Sequence, residues 1–214
     1  MRNVERRRKV NPGRLRARRR PKFARNRGAQ LVEFAFMLPL LLVMLVGIID
    51  FGTAYTLKQK LNNAAREGAR FAVSSSCLDC DALSPANTTK AIENVIVQYV
   101  NNKNTSYTNL NPIDTCGLTG GDTPSNYVKT PYATYTFTSP ATCGNTGQNF
   151  VITIQRKFSY TDANGAVVFA SDVQLQYPYK WMFSNVITLL VPGASYTGVA
   201  TISSDAIMEN LPGT

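Results

Sequence analysis

The chain contains no histidine. That absence removes Ser-His-Asp and Cys-His nucleophilic catalysis, and with them every metal site that needs an imidazole ligand. Charge is missing in two places as well. Sixteen residues without a charged side chain lie between Glu33 and Asp50. From Met1 to Arg27 there is a single acid, Glu5, against 13 Lys and Arg. Residues 28–214 hold 10 basic and 12 acidic residues, so the formal charge of +10 belongs to the tail and the body is mildly acidic. Cys77-x-x-Cys80 has no second Cys-x-x-Cys to complete a zinc set. Asp162 with Asp172, or Asp79 with Asp81, form acid/base pairs only on paper. The reading is a protein that is not an enzyme and uses no cofactor, metal or small-molecule substrate.

What is present is organised around the uncharged run. The segment 29–53, twenty-five residues, spans about 37 Å as a helix, enough to cross a hydrocarbon core of about 30 Å with some tilt. A helix apolar on every face is a core element of a large protein or a membrane span, and 214 residues suit one span plus one modest domain. Glu33 near the start of the run is costly in lipid, which makes a functional role the default expectation. Its plain alternative is a carboxylate close enough to the headgroups to reach water. Pro39 is expected to kink the span. Gly47 and Gly52 are five apart, which is not the close-contact spacing. Asp50 is expected to mark the outer interface.

The tail has too little apolar content for a core. Its arginines suit nucleic acid, anionic lipid headgroups, or the positive-inside rule. Position favours the last, because the charges stop at Arg27, immediately before the span. This places the N-terminus in the cytoplasm and the domain outside. The run is too long for a secretory signal peptide and lacks a small-x-small site behind it. The small residue stands in front instead, as Gly28, and a cut there puts Glu33 fifth in the product, followed by Phe34.

That arrangement resembles type IV prepilins. More closely, Gly28, Glu33-Phe34, Leu38-Pro39, the GIIDFG stretch from Gly47 to Gly52 and Asn63 to Arg70 (NAAREGAR) resemble the TadE-like family of the tight-adherence (Flp pilus) secretion systems. Tyr177-Pro178-Tyr179 and the closing ATISSDAIMEN add weaker agreement. The long basic leader and the central cysteines depart from the family pattern. The resemblance implies a minor pilin or pseudopilin, cleaved between Gly28 and Ala29 by a prepilin peptidase. It implies that Glu33 pairs with the free terminal amine of Ala29 in a neighbouring subunit and so favours assembly, with Phe34 beside it. The implied partners are the inner membrane, the peptidase, and other pilins and pilus assembly proteins. Two alternatives stay open: an uncleaved single-pass anchor of an extracytoplasmic binding or adhesion domain, and a membrane-tethered nucleic-acid protein using the tail.

Four segments follow: a basic leader, 1–28; a membrane helix, 29–53; an amphipathic continuation, 54–75; and an extracytoplasmic α+β domain, 76–214. In the second helical part Leu57, Leu61, Ala64/Ala65, Gly68 and Ala72 form a narrow stripe of mostly small residues. Cys77, Cys80, Cys116 and Cys143 read as two disulfides in an oxidising compartment, with three connectivities possible. Long links from Cys77 and Cys80 to Cys116 and Cys143 are favoured over a redox-active motif. Ser84-Pro85 opens a further helix burying Ile92, Val95, Ile96, Tyr99 and Val100. Residues 101–149 read as loops with a strand at 132–138, and Asn87 and Asn104 head chance-level glycosylation triplets. The last third is antiparallel β in four or five strands. Phe150, Ile152 and Ile154 alternate into a tight turn at Asp162 to Gly165, then Val173, Leu175 and Tyr177, with strands near 185–191 and 195–203. Tyr177, Tyr179, Trp181 and Phe183 are expected to be half core rather than a contact surface.

Overall fold

Helix α1 runs over Asn26–Ser74, with Pro39 inside it. The computed structural model describes residues 26–75, 87–101, 113–129, 131–181 and 198–210. The chain divides into two units, Met1–Leu42 and Val43–Thr214, with the boundary inside α1. In the first unit every residue from Gly28 to Leu42 is exposed. This helix is the one long and apolar enough to cross a membrane among the described residues. An apolar helix surface that the chain itself leaves uncovered needs lipid or another subunit around it.

The second unit contains the rest of α1, helix α2 (Asn87–Asn101) and five strands. The strands are β1 (Asn126–Val128), β2 (Ala133–Thr138), β3 (Val151–Thr161), β4 (Val167–Lys180) and β5 (Val199–Glu209). They form one sheet in the order β1-β2-β3-β4-β5, each neighbouring pair antiparallel. A long N-terminal helix followed by an antiparallel sheet makes the chain α+β, as the sequence pattern predicts.

Period-2 alternation sends one face of the sheet inward. Tyr135, Phe137, Ile152, Ile154, Val173 and Leu175 are buried on it, in one cluster with α1 and α2. From α1 the cluster takes Leu61, Ala64, Ala65, Ala69 and Ala72. The small stripe lets the helix backbone approach its neighbours closely. Polar contacts mark the course of α1 over the sheet. Tyr179 on β4 meets Asp50, Ser204 on β5 donates to Asn62 at 2.6 Å, and Arg156 on β3 meets Ser75. Moving up α1 therefore means moving back along β4 and onto β3.

Two local devices shape the sheet. The β3–β4 connection is closed by Asp162, whose Oδ1 accepts from the N–H groups of Asn164 (2.9 Å) and Ala166 (2.8 Å). Gly165 takes a φ of +81° there, which a side chain would strain. In β3 the register shifts between Gln155 and Phe158, and Lys157 adopts φ +57°. Arg156 continues the inward alternation of Ile152 and Ile154, opposite buried Ala133, and the one-residue bulge shifts the register of the strand beyond it.

Several expectations need correction. The buried face of α2 is Thr89, Ile92, Glu93, Ile96, Val97 and Val100; Val95 and Tyr99 are only half-buried. The face is rotated by part of a turn because α2 must lie against Gly68 of α1. Strand β1, three residues long, was too short to read from alternation. The last strand lies at Val199–Glu209, later than 195–203, because β5 pairs with Ala170–Lys180 of β4. The expected strand near 185–191, Ser84-Pro85, Phe183 and residues 1–25 of the leader lie outside the described residues.

Candidate functional site: the processing stretch and the Asp50–Tyr179 contact

The residues singled out for processing and assembly share the first two turns of α1. Gly28 and Ala29 are exposed, and nothing lies within 4 Å of where a β-carbon on Gly28 would stand. Glu33 and Phe34 are exposed one turn further on. The first N–H groups of a helix have no intrahelical partners and its end frays readily, so this backbone is open to an enzyme.

The cysteines are arranged differently from the favoured reading. Cys116 is bonded to Cys143, with their Cα atoms 5.3 Å apart and a sequence separation of 27. The long links from Cys77 and Cys80 to these two are therefore excluded, while Cys77 and Cys80 themselves lie outside the described residues. The geometric reason is in the fold. Ser139 N–H donates to Phe150 O and Ala141 N–H to Cys116 O, which folds the 139–150 loop back over residue 116. Both sulfurs are thereby buried side by side.

The carboxylates paired on paper are not brought together. Asp162 serves the β3–β4 turn. Asp172 lies opposite Gln155, well down the ladder, and its Oδ2 accepts from Gln174 Nε2 at 2.7 Å. Asp79 and Asp81 are outside the described residues. Among the described residues, no three of His, Cys, Asp and Glu gather into a metal-holding group.

A second constellation forms where the uncharged run ends. Asp50 is 1% exposed although its neighbours Ile49 and Phe51 are open. The Tyr179 hydroxyl covers it, donating to Asp50 Oδ1 at 2.7 Å, and Thr53 Oγ1 lies 2.6 Å from the same hydroxyl. Thr53 also donates to the Asp50 carbonyl at 2.8 Å. Burial is the largest influence on the Tyr179 hydroxyl and raises its pKa. The Thr53 bond lowers it and the bond and charge of Asp50 raise it further, leaving it pushed up to about 12. Tyr179 is therefore a neutral donor at ordinary pH. Trp181 packs edge-on beside it, its ring 5.0 Å from Tyr179 and, tilted, 5.2 Å from Phe51.

Three buried polar groups of the domain escaped the sequence reading: Asp50 with Tyr179, Arg156 with Ser75, and Glu93 with the 121–122 backbone. Asp50 was visible as the first charge after the run and Tyr179 as part of Tyr-Pro-Tyr, but nothing in the sequence joins positions 129 apart. No curated protein and no solved structure matches the chain. The family resemblance is borne out: residues 28–70 match the family model described as TadE-like protein, so the chain carries a TadE-like segment from Gly28 to Arg70.

Proposed function

We propose that the protein is a membrane-anchored component of a tight-adherence pilus apparatus, acting as a minor pilin or pseudopilin. The observation that carries this reading is the TadE-like match at residues 28–70, lying on a helix whose apolar surface is uncovered from Gly28 to Leu42. The helix enters the inner membrane with the basic leader in the cytoplasm, and the α+β domain lies outside. A disulfide between Cys116 and Cys143 suits that oxidising side.

A prepilin peptidase cuts between Gly28 and Ala29, which frees an amine four residues before Glu33. In lipid the carboxylate of one subunit and the amine of the next relieve each other's desolvation, so association is favoured over the isolated subunit. Phe34 adds apolar contact beside the pair. The partners are then the peptidase, other pilins or pseudopilins, and the assembly proteins of the inner membrane. A nucleic-acid role for the leader has no support outside its composition.

The test is the mass and N-terminal sequence of the protein from its own host, beside Gly28→Ala and Glu33→Ala variants. A chain starting at Ala29, lost in Gly28→Ala, supports processing. Glu33→Ala that is cut yet absent from pili supports the assembly role. An intact chain beginning at Met1, in cells with an active prepilin peptidase, overturns the pilin reading and leaves a permanent anchor.

A further inference from the structure

The exposed surface around Asp50 changes character over two helical turns. Ile48 and Ile49 are apolar and open. Next come the aromatics: Phe51, 69% exposed, Tyr55, 65% exposed, and half-buried Trp181 delivered by β4. A cation follows, Lys180, exposed between Tyr179 and Trp181, while half-buried Lys58, one turn above Tyr55, donates to the Ser203 carbonyl. Apolar, then aromatic, then cationic is the polarity profile of a bilayer from hydrocarbon through carbonyls to phosphates. Tyr and Trp concentrate at that middle level because one end of each ring system is apolar and the other hydrogen-bonds. Lysine stems reach past it to the phosphates.

Two distant parts of the chain meet in this band. Helix α1 supplies Phe51 and Tyr55, and the end of β4 supplies Trp181, and the Tyr179–Asp50 hydrogen bond together with the Phe51–Trp181 contact holds them together. The bond also shields the Asp50 carboxyl, the one acid at this depth among the described residues, from apolar surroundings that would penalise it.

We propose that Phe51, Tyr55 and Trp181 form a headgroup-level belt that seats the sheet domain directly on the bilayer crossed by α1, with Lys180 facing the lipid phosphates. The partner is the phospholipid headgroup layer. Tyr179 is the positioning residue that keeps Trp181 against the helix. The domain thus lies flush on the membrane instead of standing off from it, and the polar end of β4 is part of the membrane interface. The inference rests on the membrane placement of α1 proposed above, and not on processing or pilus incorporation.

Trp181 is the sole tryptophan of the chain, so its fluorescence reports this site alone. The full-length protein is reconstituted in phosphatidylcholine–phosphatidylglycerol vesicles carrying nitroxide lipids labelled either near the headgroup or near the acyl terminus. A second protein, Leu42→Trp with Trp181→Phe, reports the depth of the helix itself. The expected result is Trp181 quenched at least about twofold more by the shallow label than by the deep one and shielded from aqueous iodide, as an interfacial indole should be. Leu42→Trp should show the reverse preference. Tyr179→Phe should raise iodide access to Trp181 while leaving the Leu42→Trp profile unchanged when introduced there. Leu42→Trp quenched by the deep label, with Trp181 quenched by iodide as in water, overturns the belt and leaves the span intact. Lipid quenching of neither position overturns the membrane placement and the belt together.

Discussion

Gly68 of α1 stands so close to Ile96 of α2 that a β-carbon on it would lie 2.6 Å from Ile96 Cγ1 and 2.8 Å from Cδ1. Both distances are below any real contact, so a side chain at position 68 fits only if Ile96 shifts. The third neighbour, Val173 Cγ1 on β4, is at an ordinary 3.6 Å. One residue of the NAAREGAR stretch thus sets the spacing at which helix, helix and sheet meet.

A sign reversal follows from that geometry. Gly68→Ala adds helix propensity of about 1 kcal/mol but overpacks the contact at a cost of about 1–3 kcal/mol. The net expectation is a loss of about 1 kcal/mol, read as a lower urea midpoint. With Ile96→Ala, which alone costs about 2–5 kcal/mol, the clash is gone and Gly68→Ala should become stabilising. Equal effects in both backgrounds would mean that the contact does not set the helix spacing.

The disulfide can be checked chemically. Peptide mapping without reduction should recover Cys116 joined to Cys143, and no peptide joining either to Cys77 or Cys80. Replacing both with serine should cost about 2–4 kcal/mol, since the crosslink closes a loop of 27 residues in the unfolded chain. A mixed peptide containing Cys77 and Cys143 would return the long-link pattern.

Arg156 caps the C-terminal end of α1 from the bulge in β3. Its Nη2 donates to Ser75 O at 3.0 Å and its Nη1 to Ser75 Oγ at 3.1 Å. A buried cation at this end also complements the helix dipole. Lysine keeps the charge but not the two-pronged geometry. Arg156→Lys should therefore cost about 1.5–3 kcal/mol, the range for hydrogen bonds to charged groups. Amide exchange in the last turn of α1 should accelerate more than exchange in α2. An unchanged denaturation midpoint would mean that the guanidinium is not what anchors the helix end.

These particulars show where sequence reading succeeded and stopped. Leu61, Ala64, Ala65, Gly68 and Ala72 were legible as a buried stripe because helical period acts locally. Ile152, Ile154, Val173 and Leu175 were legible because strand alternation does too. What was not legible is what those stripes touch. Glu93 reads as a solvent-facing acid until α2 is placed, Arg156 falls on the inward face with Ile152 and Ile154 but its partner Ser75 is 81 residues away, and the cysteine spacing could not reveal that the 139–150 loop returns to residue 116. At Asp50 the position was readable as a boundary, whereas its shielding by Tyr179 depends on a partner 129 residues away. Gly28, Ala29, Glu33 and Phe34 were singled out from order alone, and the structure adds only that all four are exposed near the start of α1.

Glu93 carries the last expectation. It is completely buried in α2, and its Oε2 accepts from the backbone N–H groups of Gly121 and Asp122. Its Oε1 has no hydrogen-bond partner among the described residues. Burial raises its pKa above the ordinary value, while the two backbone bonds lower it and the charge of Asp122 adds to the rise. A raised carboxyl pKa means the folded state holds the proton more tightly than the unfolded chain. Stability should then be greatest at pH values below the ordinary carboxylate range and fall as pH rises through it toward the folded pKa. Asp172, also raised by burial first, acts in the same direction. Glu93→Gln keeps an acceptor for the two N–H groups and removes the ionisation. It should flatten the decline measured by urea unfolding between about pH 4 and pH 7, leaving the Asp172 part, and should be more stable than the parent at neutral pH. A variant whose stability falls with pH as steeply as the parent's would place the proton on another group.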